Sequence, residues 1–142
     1  MTELVDLLPH RPPMLLLDQF VAGEHDWAHA KATVRDESLF LTPGKGLPSW
    51  ALIEYFAQTA ALIGGLTAGG RAGEAPPGLL LGTRRFSCNQ GWIPVGTELE
   101  FEARLAYRQD GGMSAYACHV LKGPVEADCT LNVFIPPLGA KS

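Results

Sequence analysis

The chain has 142 residues, a formal net charge of −4 and a sequence pI near 5.5. This length suffices for one hydrophobic core, so we expect residues 1–142 to form a single domain. The acidic balance argues against nucleic acid as a partner, because phosphate contacts require a basic surface. Residues 1–8 contain two acids and no basic residue, so we expect no signal peptide and a cytoplasmic protein with reduced cysteines.

The first predicted elements are a short helix and two strands. Residues 2–8 predict the helix, and three prolines then force an extended path. The apolar run over residues 14–21 predicts a buried strand, and the alternation over residues 25–35 predicts a half-buried one. His25 and His29 share one face of that second strand but would lie about 13 Å apart, so we expect no metal site there.

Residues 47–70 predict a long central helix that is apolar on nearly every face. Its one charged residue is Glu54, and we expect apolar surroundings to raise the pKa of that carboxyl. In the alternative interpretation, Glu54 is a structural residue that bonds a backbone group. A membrane span is disfavoured, because a carboxylate near its centre costs about 2.5–3.5 kcal/mol on insertion scales.

Four more strands follow the helix, over residues 79–88, 98–107, 113–121 and 125–135. A set of antiparallel strands after one apolar helix predicts an α+β fold in which the sheet curls around the helix. One small sheet covers only part of such a helix. We therefore expect a dimer whose second chain covers the remainder.

Three groups of residues carry a resemblance to a known family. They are Leu8-Pro9-His10-Arg11-Pro12-Pro13-Met14-Leu15-Leu16-Leu17-Asp18, then Pro43-Gly44-Lys45 with Ile53-Glu54-Tyr55-Phe56-Ala57-Gln58, then Leu81-Gly82-Thr83-Arg84-Arg85-Phe86 with Pro94-Val95-Gly96. In this order they resemble the motifs of the hotdog-fold 3-hydroxyacyl-[acyl carrier protein] dehydratases, most of all a divergent branch found with aryl-polyene clusters. The resemblance implies a hotdog fold, a hydro-lyase of fatty acid or polyene biosynthesis, and no metal or cofactor.

The sequence departs from the family pattern at the catalytic histidine, because Leu41 occupies the corresponding position. In the family, the acid on the helix of one subunit faces the histidine of the other. The resemblance therefore implies that Glu54 is the catalytic acid of a homodimer or heterodimer, and it leaves the base open. His10, His119 or the partner subunit could supply the base, although His10 could instead be a loop histidine that bonds backbone near the interface.

The remaining candidate residues would bind the substrate. The N–H groups of Ser49 and Trp50, at the start of the helix, could polarise the thioester carbonyl. Gly44 lies in the loop that resembles the family's active-site loop. Four basic residues could meet an acidic acyl carrier protein or its phosphate, or could form ordinary solvated surface: Arg11, Lys45, Arg84 and Arg85.

Three functions fit these residues. The first is dehydration of carrier-bound 3-hydroxyacyl chains, and the second is a structural subunit that completes a heterodimer with an active relative. The third is acyl thioester hydrolysis, which hotdog folds also perform with a helix carboxylate. The retained Glu54 favours the first or the third function, whereas Leu41 favours the second.

Overall fold

The computed structural model of the protein describes residues 3–67, 69, 79–109 and 111–134. Its helices are α1 (Leu4–Leu7) and α2 (Leu52–Thr67), and a 3₁₀ turn, Ser49–Ala51, leads into α2. Its strands are β1 (Gln19–Glu24), β2 (Trp27–Thr33), β3 (Leu47–Pro48), β4 (Leu79–Cys88), β5 (Trp92–Ile93), β6 (Glu98–Arg108), β7 (Met113–Lys122) and β8 (Ala127–Phe134). The strands β3 and β5 pair with each other, apart from the main sheet.

The main sheet has six antiparallel strands in the order β1-β2-β6-β7-β8-β4, and α2 packs on one of its faces. Small side chains on β2, such as Ala28 and Ala30, are fully buried and let the helix approach closely. Phe101 of β6 is also fully buried, and it stacks on Tyr55 and meets Phe56 edge to face. The predicted α+β arrangement of a sheet around one helix is therefore confirmed.

The predicted strand over residues 14–21 is wrong in its bounds, because β1 begins only at Gln19. The buried side chain of Gln58 bonds both the carbonyl of Met14 and the N–H of Leu16. A side chain of α2 thus takes the backbone groups that a neighbouring strand would have used. Leu16 and Leu17 are nevertheless buried, as their apolar character predicts.

The central helix begins later than predicted, because Leu47 and Pro48 form β3 and pair with β5. Its sides are unequally covered by the rest of the chain. Trp50 is 58% exposed, and half-buried positions continue from it along one side of α2 at the three- and four-residue spacing of a helix face. This open stripe consists of Trp50, Ile53, Glu54, Ala57, Ala61 and Gly64.

The strand β4 lies at one end of the sheet and pairs with β8 on one side alone among the described strands. Its Leu80 and Leu81 are about half exposed, at 45% and 55%. An apolar edge strand of this kind is a template for pairing with another chain. In the described ranges, no helix is both long and apolar enough to cross a membrane.

Candidate active site

Glu54 lies in the first turn of α2, on the open stripe, and is half-buried. One helical turn later, Gln58 donates a hydrogen bond from Nε2 to Glu54 Oε2 over 3.2 Å. Among the described residues, this is the hydrogen bond that Glu54 makes, and no cation pairs with it. The chain by itself therefore covers this carboxyl only in part, because the sheet leaves this side of the helix open.

Gln58 is 1% exposed and uses its amide in three hydrogen bonds. Besides the bond to Glu54, Nε2 donates to the carbonyl of Met14 over 2.8 Å, and Oε1 accepts from the N–H of Leu16 over 2.9 Å. The sequence by itself assigns no role to Gln58. A polar residue one turn after the acid, on an otherwise apolar helix, is the signal that could have revealed it.

The two candidate amides at the start of the helix differ in availability. The N–H of Ser49 donates to the carbonyl of Gly91 over 3.0 Å, so the prediction that it binds a substrate carbonyl is not supported. The N–H of Trp50 follows in the first helical turn, where no intrahelical acceptor exists. Gly44 lies in the turn closed by Thr42 and Gly46, and its φ of +80° is a conformation that favours glycine.

The candidate bases are placed very differently. His10 is half-buried, and its Nδ1 is buried without a hydrogen-bond partner among the described residues. His119 lies on the face of β7 turned away from α2, because its neighbour Cys118 is the residue that packs in the core. The sheet therefore separates His119 from Glu54, and the prediction of His119 as a base is wrong. Leu41 packs against the core.

The four basic residues that could meet a carrier protein make separate contacts and do not form one cluster. Arg11 donates to three backbone carbonyls in and after α1, so it caps that helix. Lys45 Nζ lies 5.2 Å from the ring centroid of Trp92. Arg84 and Arg85 are exposed on β4 without an ion pair to any described residue, and Arg85 has a φ of +55° where the pairing with β8 shifts register.

A separate polar cluster occupies the outer face of the sheet. Glu102 Oε2 lies 2.6 Å from His29 Nε2 and 3.2 Å from an Arg104 nitrogen, and Glu102 Oε1 lies 3.6 Å from His119 Nε2. Burial raises the pKa of the Glu102 carboxyl, but the hydrogen bonds from His29 and Arg104 and the neighbouring charges outweigh burial and lower it. No group of three metal-binding side chains was found across the described ranges.

Because the folded pKa of Glu102 is lowered, its carboxylate stabilises the fold above the ordinary pKa of 4.5. That contribution disappears as pH falls through the folded value. We expect Glu102→Gln to lower the free energy of unfolding at pH 7 by about 1–2 kcal/mol, and the difference from wild type to shrink below pH 4.5. Urea denaturation from pH 7 to pH 3 measures both effects. Glu37→Gln is the control, because the exposed Glu37 carboxylate makes only a 3.9 Å contact with Arg35 Nε. Equal effects of both variants on the free energy of unfolding would contradict the prediction.

Comparisons with known proteins extend this description. A family model described as ApeP-like, ApeP dehydratase, matches residues 2–142. The 3-hydroxyacyl-[acyl-carrier-protein] dehydratase FabZ of Pseudothermotoga lettingae is 33% identical over 135 residues, which cover 92% of each chain. A chain of the dehydratase heterocomplex ApeI:P from Xenorhabdus doucetiae is 27% identical with a TM-score of 0.83, covering 97% of this chain and 93% of that one.

The fold is shared more widely than the sequence. The E. coli PaaI protein from the phenylacetic acid degradation operon is 11% identical, with a TM-score of 0.61 over 81% of this chain and 80% of that one. At this identity the likeness concerns the fold alone. Together with the heterocomplex, it confirms the hotdog arrangement of one helix and an antiparallel sheet.

Proposed function

Because the chain belongs to the ApeP-like dehydratase family, we propose that it is a 3-hydroxyacyl-[acyl carrier protein] dehydratase of fatty acid or polyene biosynthesis. The observation that carries the proposal is the position of Glu54. Its carboxyl lies at the start of α2, on the open stripe, and its orientation is held by a neutral amide. A carboxyl placed in this way can give a proton to a leaving group.

The reaction converts a 3-hydroxyacyl thioester into a 2-enoyl thioester and water. A base removes the C2 proton, the electron pair left on C2 forms the C2=C3 bond, and the C3–O bond breaks. Glu54 gives its proton to the departing hydroxyl, which leaves as water. The N–H of Trp50, at the positive end of the helix, stabilises the negative charge that develops on the thioester oxygen. These steps need no metal or cofactor.

His10 is our candidate for the base within this chain. Among the residues that the structure describes, its Nδ1 is buried without a partner, which leaves a ring nitrogen available for a substrate proton. We expect His10→Ala to lower turnover by a factor on the order of 10² to 10⁴, because general base catalysis is lost. The melting temperature should change little, since the His10 side chain makes no hydrogen bond to the described part of the chain.

The assay for His10→Ala measures conversion of a 3-hydroxyacyl-carrier substrate together with thermal unfolding. His25→Ala is the matched control, because His25 lies exposed in the turn between β1 and β2. Full activity of His10→Ala would assign the base to the partner subunit.

Two surfaces support a dimer, either of two identical chains or with a related hotdog chain. One is the open stripe with its exposed Trp50, and the other is the edge of β4 with Leu80 and Leu81. The exposed pair Arg84 and Arg85 is our candidate for contact with an acidic acyl carrier protein, because paired guanidinium groups bind carboxylates and phosphates well.

The second candidate function is that of a supporting subunit in a heterodimer. Leu41 favours it, because an apolar side chain that packs against the core supplies no base at the position where the family resemblance implies a histidine. The structural likeness to the ApeI:P heterocomplex adds to this support. In this function the chain completes and stabilises the heterodimer, and the related chain supplies the catalytic residues. The thioesterase alternative gains no support from the dehydratase family match.

One experiment separates these functions. The purified chain is sized in solution, and its conversion of 3-hydroxyacyl-carrier substrate is measured alone and with a histidine-bearing hotdog partner. Activity of the chain alone supports the dehydratase as a homodimer. Activity that requires the partner supports the heterodimer. Release of free acid instead of the enoyl product would indicate a thioesterase.

A further inference from the structure

We infer that Gln58 is a positioning residue that determines which oxygen of Glu54 carries the catalytic proton. This inference rests on the proposed dehydratase function, in which Glu54 is the acid. Gln58 does not need to touch the substrate for this role. It acts through its 3.2 Å hydrogen bond from Nε2 to Glu54 Oε2.

The orientation of the Gln58 amide is fixed by the backbone of the N-terminal segment. The N–H of Leu16 can only donate, so the atom 2.9 Å from it must be the amide oxygen. The carbonyl of Met14 can only accept, so the atom 2.8 Å from it must be the amide nitrogen. A flipped amide would set donor against donor and acceptor against acceptor at a site that is 1% exposed.

This fixed orientation directs an N–H group of Gln58 at Glu54 Oε2. In a protonated carboxyl the C=O oxygen is a better hydrogen-bond acceptor than the O–H oxygen, so this N–H favours Oε2 as the C=O oxygen. The proton that Glu54 gives to the leaving hydroxyl is therefore carried on Oε1. Oε1 has no hydrogen-bond partner among the described residues, and it belongs to a side chain on the open stripe.

Through the same contacts, the segment Met14–Leu16 helps to hold the Glu54 carboxyl in place. Gln58 is held by Met14 and Leu16 from one side, and it holds Glu54 from the other. A shift of that segment would turn the amide and release the carboxyl from its fixed rotamer. Small misplacements of a catalytic group reduce rate strongly, on the order of 10²-fold for about 1 Å.

The first test replaces Gln58 by methionine, which has a similar volume and cannot donate a hydrogen bond. We expect kcat for the 3-hydroxyacyl-carrier substrate to fall by about tenfold to 10²-fold with KM nearly unchanged, because the proton donor is misplaced while substrate contacts remain. Thr59→Val is the matched control. Thr59 is also fully buried and loses one hydrogen bond, to the carbonyl of Tyr55, but does not contact Glu54.

A second variant keeps the test decisive if Gln58→Met does not fold. Gln58→Glu preserves shape and can still accept from Leu16, but it offers at most one O–H proton where the amide offers two N–H protons, one to Met14 and one to Glu54. We expect a kcat loss of at least tenfold for it as well, because one proton cannot bond both the Met14 carbonyl and Glu54. A wild-type kcat in either folded variant, or a loss no larger than that of Thr59→Val, would overturn the inference.

A double variant shows whether Gln58 acts through Glu54. If it does, Gln58→Met should have no further effect on turnover when Glu54 is already glutamine, because residues that work as a unit are not additive. A multiplied loss would overturn the inference. If Glu54→Gln alone keeps full turnover, the proposed acid itself fails. If Glu54→Gln is inactive while the Gln58 variants match the control, the proposed function stands and the inference fails.

Discussion

Glu54→Gln should lower dehydration turnover at least about 10²-fold while leaving the melting temperature nearly unchanged. Glutamine has the same shape as glutamate but no acidic proton, so the leaving hydroxyl is no longer protonated. Stability should persist, because the one hydrogen-bond partner that Glu54 has among the described residues is the neutral Gln58 amide. The new amide can still offer its oxygen to that donor.

The measurement combines thermal unfolding with conversion of a 3-hydroxyacyl-carrier substrate, with any hotdog partner present. Glu24→Gln, at an exposed position of β1, is the control for loss of one negative charge. A destabilisation of about 3–5 kcal/mol would instead indicate a structural ion pair broken by the change. A stable variant with unchanged turnover would remove Glu54 from the mechanism and leave the supporting subunit as the function.

Much of the fold could be predicted, because regular alternation determines which residues of a strand are buried. The alanines of β2 and the alternating residues Leu99, Phe101 and Ala103 of β6 are buried as their spacing indicates. The first strand was misplaced because a distant side chain, Gln58, takes the backbone of residues 14–16. No local pattern carries that information.

The candidate site was predicted less completely, and for a similar reason. Glu54 stands out in the sequence as the one charge on an apolar helix. The N–H of Ser49 is occupied by Gly91, which lies 42 positions later in the chain, so its unavailability follows from tertiary pairing alone. The neighbours of His119 on β7 are mostly apolar on both sides, so alternation did not indicate which face His119 occupies.

The adjacent glycines of α2 should respond oppositely to alanine. A Cβ at Gly65 would overlap the carbonyl oxygen of Leu7 and lie 2.7 Å from the Cα of Leu7. Because these are backbone atoms of α1, the two helices would have to separate. We expect Gly65→Ala to lower the free energy of unfolding by on the order of 1–3 kcal/mol, despite the better helix propensity of alanine.

Gly64→Ala is the matched control, because a Cβ there would meet nothing within 4 Å in the described chain. Alanine should therefore raise the free energy of unfolding by about 0.5–1 kcal/mol through helix propensity. Urea denaturation of both variants at one protein concentration measures the pair, since association would change apparent stability. Equal stability of the two variants would contradict the close approach of α1 to Gly65 of α2.

Gly64 lies on the open stripe, where a second chain could also contact the helix. A gain in stability of Gly64→Ala that reverses at high protein concentration would show that a second chain approaches the helix at this position.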